Sequence, residues 1–166
     1  MTIERRENHN KKKRRHPLRW VAALLVLLIG GAMFLNWQLW GIQVTLTQVP
    51  LSRLPQAFDG LRVVHLSDLH GHEYGEGSQD LLALVAQQEP DLIFVTGDLI
   101  DQESQLEIVP ALARGLTAIA PTYYVTGNHE WAVGNVPRLK GILSECGVTV
   151  LSNQYVTLER EGETVV

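Results

Sequence analysis

Three short clusters in this sequence carry the side chains that bind divalent metal ions. They are Asp68-Leu69-His70, Gly97-Asp98 and Gly127-Asn128-His129-Glu130. Carboxylate and amide oxygens and imidazole nitrogens are the usual protein ligands of such ions. A single Asp-x-His match is weak evidence, because such tripeptides often mark only a polar strand end. Three clusters of this kind in succession predict a metal site.

Each cluster directly follows a short apolar run with the composition of a buried strand, and helical patterns separate the runs. The runs cover residues 63–66, 92–96 and 123–126. In open α/β sheets the carboxyl ends of the strands share one edge, where ligands bind. We therefore expect an α/β fold in which the three clusters converge. His65, inside the first run, is expected to be a hydrogen-bonded core or interlayer histidine.

Helices are expected to cover this sheet between the strands. The first follows Ser78, a candidate cap, and ends before Pro90. The second covers residues 104–120, with Pro110 at its start or kinking it. The third covers residues 137–146 and stops at Gly147. Further strands are predicted at residues 148–151 and 155–158.

In order and in residue type, the three clusters resemble the first three motifs of the calcineurin-like metallophosphoesterases, with Asp101 close behind the second. The resemblance covers about residues 42–166 and is strongest to the membrane-anchored bacterial branch. It implies a metal-dependent phosphoester hydrolase, acting on monoesters or diesters. It also implies a four-layer α-β-β-α sandwich, here partial and preceded by one transmembrane helix.

Phosphoester hydrolysis in such enzymes uses two divalent ions about 3.5 to 4 Å apart, which acidify a bridging water and neutralise developing charge. We expect Asp68 and His70 to hold the first ion and Asp98 to bridge both. Asn128, through its amide oxygen, would hold the second. Manganese, zinc or iron would suit these mixed nitrogen and oxygen ligands.

His129 is expected to be the catalytic side chain. It cannot easily share an ion with Asn128, because successive side chains diverge. By resemblance, it contacts the phosphoryl group and assists protonation of the leaving group. Two interpretations of Asp101 stay open: a partner that supports a ligand, or a plain acid at a helix start. Glu130 is expected to orient His129.

The sequence also departs from the family pattern. Family members carry further histidines after the third motif, one alone and then a Gly-His-x-His pair, whereas no histidine follows His129 here. Residues 161–166 have the pattern of the return strand of a hairpin. We therefore expect the front half of such an enzyme, as a truncated chain or a shortened reading frame. Alone it would bind at most one ion well and hydrolyse little. The alternative is an inactive, membrane-anchored metal-binding or regulatory remnant.

Residues 20–40 are predicted to form a transmembrane anchor. The stretch 21–35 has no charge and, with its flanks, reaches the roughly 20 residues that a spanning helix needs. Trp20, Trp37 and Trp40 would lie at the two interfaces. The length of the stretch and its poor small-residue cleavage site favour a retained anchor over a cleaved signal peptide. A twin-arginine export signal at residues 14–19 is a lesser alternative.

The net charge of −4 hides a basic N-terminus. Residues 1–19 are read as a disordered, cytoplasmic tail that sets orientation by the positive-inside rule, so nucleic acid is not an expected partner. The domain would then lie on the outer face of a bacterial inner or plasma membrane. The expected partners are the membrane and a phosphoester substrate, with lipid-linked and cell-envelope phosphoesters as candidates. Cys146 is the only cysteine, so no disulfide framework forms within the chain.

The segment 41–60 is expected to connect the anchor to the domain. Gln43–Val49 alternates polar and apolar residues, which predicts a half-buried strand. Pro50, Pro55 and Asp59-Gly60 mark loops and turns. Residues 61–166 would then form the N-terminal part of the metallophosphoesterase domain.

Overall fold

The structure, a computed structural model, describes residues 17–166, without the side chains of Pro17 and residues 36–40. Residues 1–16 of the basic tail therefore lie outside the described residues, and so do the side chains of Trp37 and Trp40. The chain divides after Gln43 into two compact units. Each is described by itself.

The first unit contains the helix α1, Pro17–Trp40. Within it, Leu18–Leu35 has a mean hydropathy of 2.2, and none of this window is buried. Twenty-four residues at 1.5 Å each give a length of roughly 36 Å, more than the ~30 Å of a bilayer core. By length and composition, α1 is thus able to span a membrane, as the sequence predicts. Pro17 is compatible with the first turn of a helix, where its missing N–H would have no intrahelical partner.

The connector to the second unit is irregular. The strand predicted for Gln43–Val49 is wrong, because residues 41–50 have no regular structure. Val44, Leu46 and Val49 are all exposed. A strand needs a neighbour for its N–H and C=O groups, and neither sheet of the described residues includes this segment. A short 3₁₀ turn at Gln56–Phe58 is the first regular element of the second unit.

A four-stranded parallel sheet forms the centre of the second unit. Its strands are β1 (Val63–Leu66), β2 (Leu92–Val95), β3 (Thr122–Tyr124) and β4 (Thr149–Val150), in that spatial order. The register aligns Val64 with Ile93 and Ile93 with Thr122. The expected α/β fold with a parallel sheet is confirmed. All four strands point their carboxyl ends to the same edge.

Helices connect successive strands and cover one face of the sheet. They are α2 (Gln79–Gln87), α3 (Val109–Ile119), α4 (Asn128–Val133) and α5 (Val136–Glu145). Right-handed crossovers between strands in sequential order place their helices on the same face. There Leu112, Leu116 and Leu143 pack against Val95 and Tyr124 in the buried core.

Two of the predicted helices differ in detail. The helix predicted for residues 104–120 divides into a 3₁₀ turn at Glu103–Glu107 and α3, with Pro110 in the first turn of α3. Ser78 takes the position before α2, but its side chain makes no capping hydrogen bond. Its φ of 60° explains this, because a capping residue normally has extended backbone.

The opposite face of the sheet carries His65, Phe94 and Tyr123. His65 is hydrogen-bonded, as expected, with Nε2 2.6 Å from Thr96 Oγ1. The expected burial is wrong, because its side chain is exposed. This face borders an apolar cavity of about 320 Å³ beside the antiparallel hairpin of β5 (Leu158–Arg160) and β6 (Glu163–Val165). The return strand predicted within residues 161–166 is confirmed by β6. The strand predicted for residues 155–158 differs in its bounds, because β5 begins only at Leu158.

Candidate metal centre

The loops that follow β1 and β2 lie side by side and are joined by backbone hydrogen bonds. Asp68 N donates to Gly97 O over 3.3 Å, and His70 N donates to Asp98 O over 2.9 Å. Parallel pairing thus continues beyond the strands into the first two polar clusters. This contact brings Asp68 and His70 next to Asp98, as the sequence predicts.

These three residues all have left-handed backbone conformations. The φ angles are 57° at Asp68, 50° at His70 and 51° at Asp98. Each residue in this region costs on the order of 1 to 3 kcal/mol unless its side chain makes local hydrogen bonds, and such strain is concentrated at functional sites. Three strained residues at one sheet edge therefore mark this edge as the candidate site.

The third cluster reaches the second through two glycines. A Cβ at Gly97 would overlap the backbone nitrogen of Gly127, and a Cβ at Gly127 would overlap Asp98 Oδ1. Only residues without a side chain permit this approach. In the first turn of α4, His129 N donates to Asp98 Oδ1 over 3.0 Å. Asp98 is therefore held between the two loops.

The ligand atoms of Asp68, His70 and Asp98 all lie within 4.8 Å of one another. Ligands bound at roughly 2.0 to 2.2 Å from an ion are separated by no more than about 4.4 Å, so these side chains need to move little to share one. His70 Nε2 is 3.9 Å from Asp68 Oδ1. Ser67 Oγ donates to Asp68 Oδ2, which orients that carboxylate. The three donors fit a divalent ion.

Asp101 supports the histidines of this centre. His70 Nδ1 lies 2.8 Å from Asp101 Oδ1, which leaves Nε2 available to an ion. A ligand histidine that gives its other nitrogen to a carboxylate is a common arrangement in metal sites. His129 Nδ1 is 2.6 Å from the same oxygen. These two contacts are the ones expected if Asp101 is a partner that supports a ligand.

The hydrogen bond to Asp101 raises the pKa of His70, and the same bond lowers the pKa of Asp101. The pair of imidazolium and carboxylate therefore stabilises the folded chain fully between the ordinary pKa of an aspartate, about 3.9, and that of a histidine, about 6.5. This contribution is lost as the pH rises through the pKa of His70, because the imidazole then becomes neutral.

His70, Asp101 and His129 form a second group of potential ligands within 4.8 Å. Its two nitrogen to oxygen distances are 2.8 and 2.6 Å, which are those of hydrogen bonds. Ligands around a tetrahedral zinc with bonds of about 2.0 Å would be roughly 3.3 Å apart. We therefore interpret this group as a hydrogen-bonded triad, and the Asp68, His70 and Asp98 group as the ion site.

Glu130 does not have the contacts expected of it. It is expected to orient His129, but its carboxylate accepts hydrogen bonds from backbone N–H groups of two loops. Oε1 accepts from Leu99 at 2.6 Å and Ile100 at 3.3 Å, and Oε2 accepts from Asp98 at 3.0 Å and Gly127 at 2.7 Å. The side chain is only 1% exposed.

Sequence reasoning missed Gln105, which ties the Asp101 loop to the first cluster. Its Oε1 accepts from the backbone N–H of Asp101 at 2.6 Å and of Gln102 at 2.9 Å. Its Nε2 donates to His70 O at 3.2 Å. One signal was present: Gln105 is at the third position after Gln102, where a glutamine commonly reaches back to the N–H at the start of its helical turn.

Asn128 is exposed at the first position of α4, next to His129. Its neighbours on both sides contact Asp98, which puts its backbone beside the candidate ion site. Its role as a ligand stays a prediction.

Replacing Asp101 by asparagine is expected to lower the pKa of His70 toward its ordinary value of about 6.5. The amide can still accept a hydrogen bond but has no charge to favour the imidazolium. An NMR titration of the histidines in metal-free protein measures this shift. Glu103→Gln is the control, because Glu103 bonds Asn135 and Arg138 instead. An unchanged pKa of His70 in Asp101→Asn would contradict the pairing.

Comparison with known proteins gives a consistent result. The family model described as calcineurin-like phosphoesterase matches residues 61–159. A Bos taurus transmembrane protein with metallophosphoesterase domain is 33% identical over 91% of this chain and 35% of its own length. The uncharacterized metallophosphoesterase YkuE of Bacillus subtilis is 31% identical over 70% of this chain and 43% of its own length.

Phosphodiesterase YaeI of Escherichia coli is a further relative, 33% identical over 58% of this chain and 38% of its own length. The matched part of the chain thus covers between 35% and 43% of the length of these curated relatives.

Proposed function

The chain belongs to the calcineurin-like phosphoesterase family, and from this premise we propose that it contributes the metal site of a phosphoester hydrolase. The observation that carries the proposal is the convergence of the ligand atoms of Asp68, His70 and Asp98 within 4.8 Å. Their mixed carboxylate and imidazole donors suit manganese, zinc or iron.

We propose that Asp68, His70 and Asp98 hold one ion, and that Asp98 and Asn128 serve a second. Divalent ions bound there would supply an acidified water as the nucleophile and would neutralise charge on the phosphoryl group. Asp101 fixes the ring of His70 through Nδ1, so that Nε2 would be available to the ion. Since only Asp98 and Asn128 among the described residues would serve the second ion, this chain alone is proposed to bind one ion well and to turn over slowly.

We propose that His129 is the catalytic acid. Its Nδ1 is beside Asp101 Oδ1, so its Nε2 is available to hold a proton for the leaving oxygen. The imidazole is partly exposed, as a group that contacts substrate must be.

Hydrolysis of p-nitrophenyl phosphate and bis(p-nitrophenyl) phosphate by the detergent-solubilised chain, loaded with manganese, zinc or iron, tests this function. We expect slow, metal-dependent turnover that falls about 10²-fold or more in His129→Ala, with metal binding retained. His65→Ala is the matched control, because His65 is on the other face of the sheet and bonds Thr96. The diester is included because one relative is named a phosphodiesterase.

The alternative, a metal-binding remnant without catalysis, predicts a different result in the same assay. Metal would bind, but no hydrolysis would depend on His129. Turnover that is equal in His129→Ala and in the unaltered chain would therefore exclude the proposed role of this histidine.

We propose that α1 is a retained single-pass anchor, with the N-terminus in the cytoplasm and the domain on the outer face of a bacterial inner or plasma membrane. Support comes from the apolar, exposed window 18–35, the basic residues before it and the transmembrane relative. Lipid-linked and cell-envelope phosphoesters are then the nearest substrates. An alkaline phosphatase fusion after residue 43 should be active in the periplasm and remain membrane-bound. A soluble fusion cut within α1 would identify a signal peptide.

A further inference from the structure

We propose that Glu130 is a positioning residue that holds the Asp98 loop, and with it the shared metal ligand, in its binding geometry. This inference rests on the proposed role of Asp98 as a ligand. Glu130 contacts no reacting group itself and acts only through the loop that it binds.

The surroundings of Glu130 require an ionised carboxylate. Each of its two oxygens accepts two backbone N–H groups, so all four partners are donors. A protonated carboxyl group or an amide would turn a hydrogen toward one pair of them. A carboxylate that is 1% exposed is costly to bury unless it is bonded in this way. The side chain therefore has a partner at every position where it could accept a bond.

The loop itself has the shape of an anion-binding turn. Gly97 and Asp98 have φ angles of 89° and 51°, and the N–H groups of residues 98, 99 and 100 all point to Glu130. Successive N–H groups converge in this way in backbone concavities that bind anions. Here the anion is a side chain of the same protein. Without it, three neighbouring donors would lose their partner while the strained turn remained.

The first turn of α4 holds Asp98 at two points. Glu130 binds its backbone N–H, and His129 N donates to its Oδ1. The carboxylate of Asp98 is therefore fixed in position and in rotation by two adjacent residues of one helix. A shift of the Glu130 contact would displace the oxygen that must reach the ion.

Glu130→Gln tests this role in the detergent-solubilised full chain. The variant keeps the size of the side chain but directs its NH₂ group at two N–H donors. We expect the dissociation constant for Mn²⁺ to rise about 10- to 100-fold, the usual effect of losing a residue that supports a ligand. Mn²⁺ is titrated by electron paramagnetic resonance at a temperature where circular dichroism shows both proteins folded.

Thr122→Val is the matched control. Thr122 is equally buried, at 2% exposure, and its hydroxyl bonds Ala120 O, away from the loop. It is expected to lose stability without losing Mn²⁺ affinity. A double variant with Asp98→Asn adds a second criterion: if Glu130 acts through Asp98, adding Glu130→Gln to Asp98→Asn weakens binding little further. Wild-type affinity in folded Glu130→Gln, or additive losses, would overturn the inference.

A second measurement separates this inference from the proposed function. The amide resonances of residues 98–100 in metal-free protein should shift in Glu130→Gln and exchange faster with solvent. If the unaltered chain binds no Mn²⁺, the proposed function fails, while these amides still report on the loop. Unchanged amides would refute the positioning role. If Glu130→Gln does not fold, Glu130→Asp, which keeps the charge but is shorter, is expected to show a smaller loss in the same titration.

Discussion

Asp98→Asn is expected to weaken metal binding by the chain on the order of 100-fold or more. Losing a residue that only supports a ligand costs 10- to 100-fold, so losing a charged ligand costs at least as much. Asparagine keeps the shape of the side chain and an oxygen that can accept from His129 N. The loop should therefore keep its conformation, and the loss of metal affinity reports on the removed charge. Isothermal titration with Mn²⁺ or Zn²⁺ measures it.

Asp80→Asn is the charge-matched control, because Asp80 is an exposed acid in the first turn of α2. It is expected to leave affinity unchanged. Asp68→Asn should also weaken binding, but hydrolysis should fall less than in Asp98→Asn, because only Asp98 is proposed to serve two ions. Equal affinity in Asp98→Asn and the unaltered chain would show that the ion binds elsewhere.

The convergence of the three clusters could be predicted from the sequence, because it follows from topology. Asp68 and Asp98 each come directly after an apolar run, and parallel strands end at one edge whatever the details of packing. For Asp101, the sequence predicts the location but not the contacts. Its position after Gly97-Asp98 indicated proximity, but its place between two imidazoles depends on how the loops turn.

The role of Glu130 could not be derived from its place next to His129. Neighbouring residues on a helix point about 100° apart, so two adjacent side chains rarely contact the same group. One signal was present. Glu130 stands at the third position after Gly127, where an acid commonly reaches back to the N–H at the start of its helix. It makes that bond, and the strained turn at Asp98 supplies the other donors.

The strand expected at Gln43–Val49 shows the limit of pattern reasoning. Alternation of polar and apolar residues reports which side chains would share a face, but not whether a neighbouring strand exists to pair with. His65 shows a related limit. Its apolar strand predicts a buried side chain, yet β1 is an edge strand of the four-stranded sheet, and Val63, two residues before His65, is 40% exposed. Strand order is not visible in a local pattern.

Gly97→Ala is expected to destabilise the second unit by about 2 to 5 kcal/mol. A left-handed backbone costs a residue with a Cβ about 1 to 2 kcal/mol, and Gly97 has a φ of 89°. The added methyl group would also overlap the backbone nitrogen of Gly127, which cannot rotate away as a side chain can. Overpacking of this kind costs about 1 to 3 kcal/mol. Urea unfolding in detergent, followed by tryptophan fluorescence, measures the change.

Gly134→Ala separates the two contributions. Gly134 has a similar φ of 83°, but a Cβ there would meet nothing within 4 Å. Gly134→Ala should therefore lower the free energy of unfolding only by the cost of the left-handed backbone, about 1 to 2 kcal/mol. Its metal affinity should not change. Gly97→Ala should lose more stability and also metal affinity, because the loops must separate to admit the methyl group. Equal losses in the two variants would mean that the loops after β2 and β3 do not approach closely, and Asp98 would then have no fixed place between them.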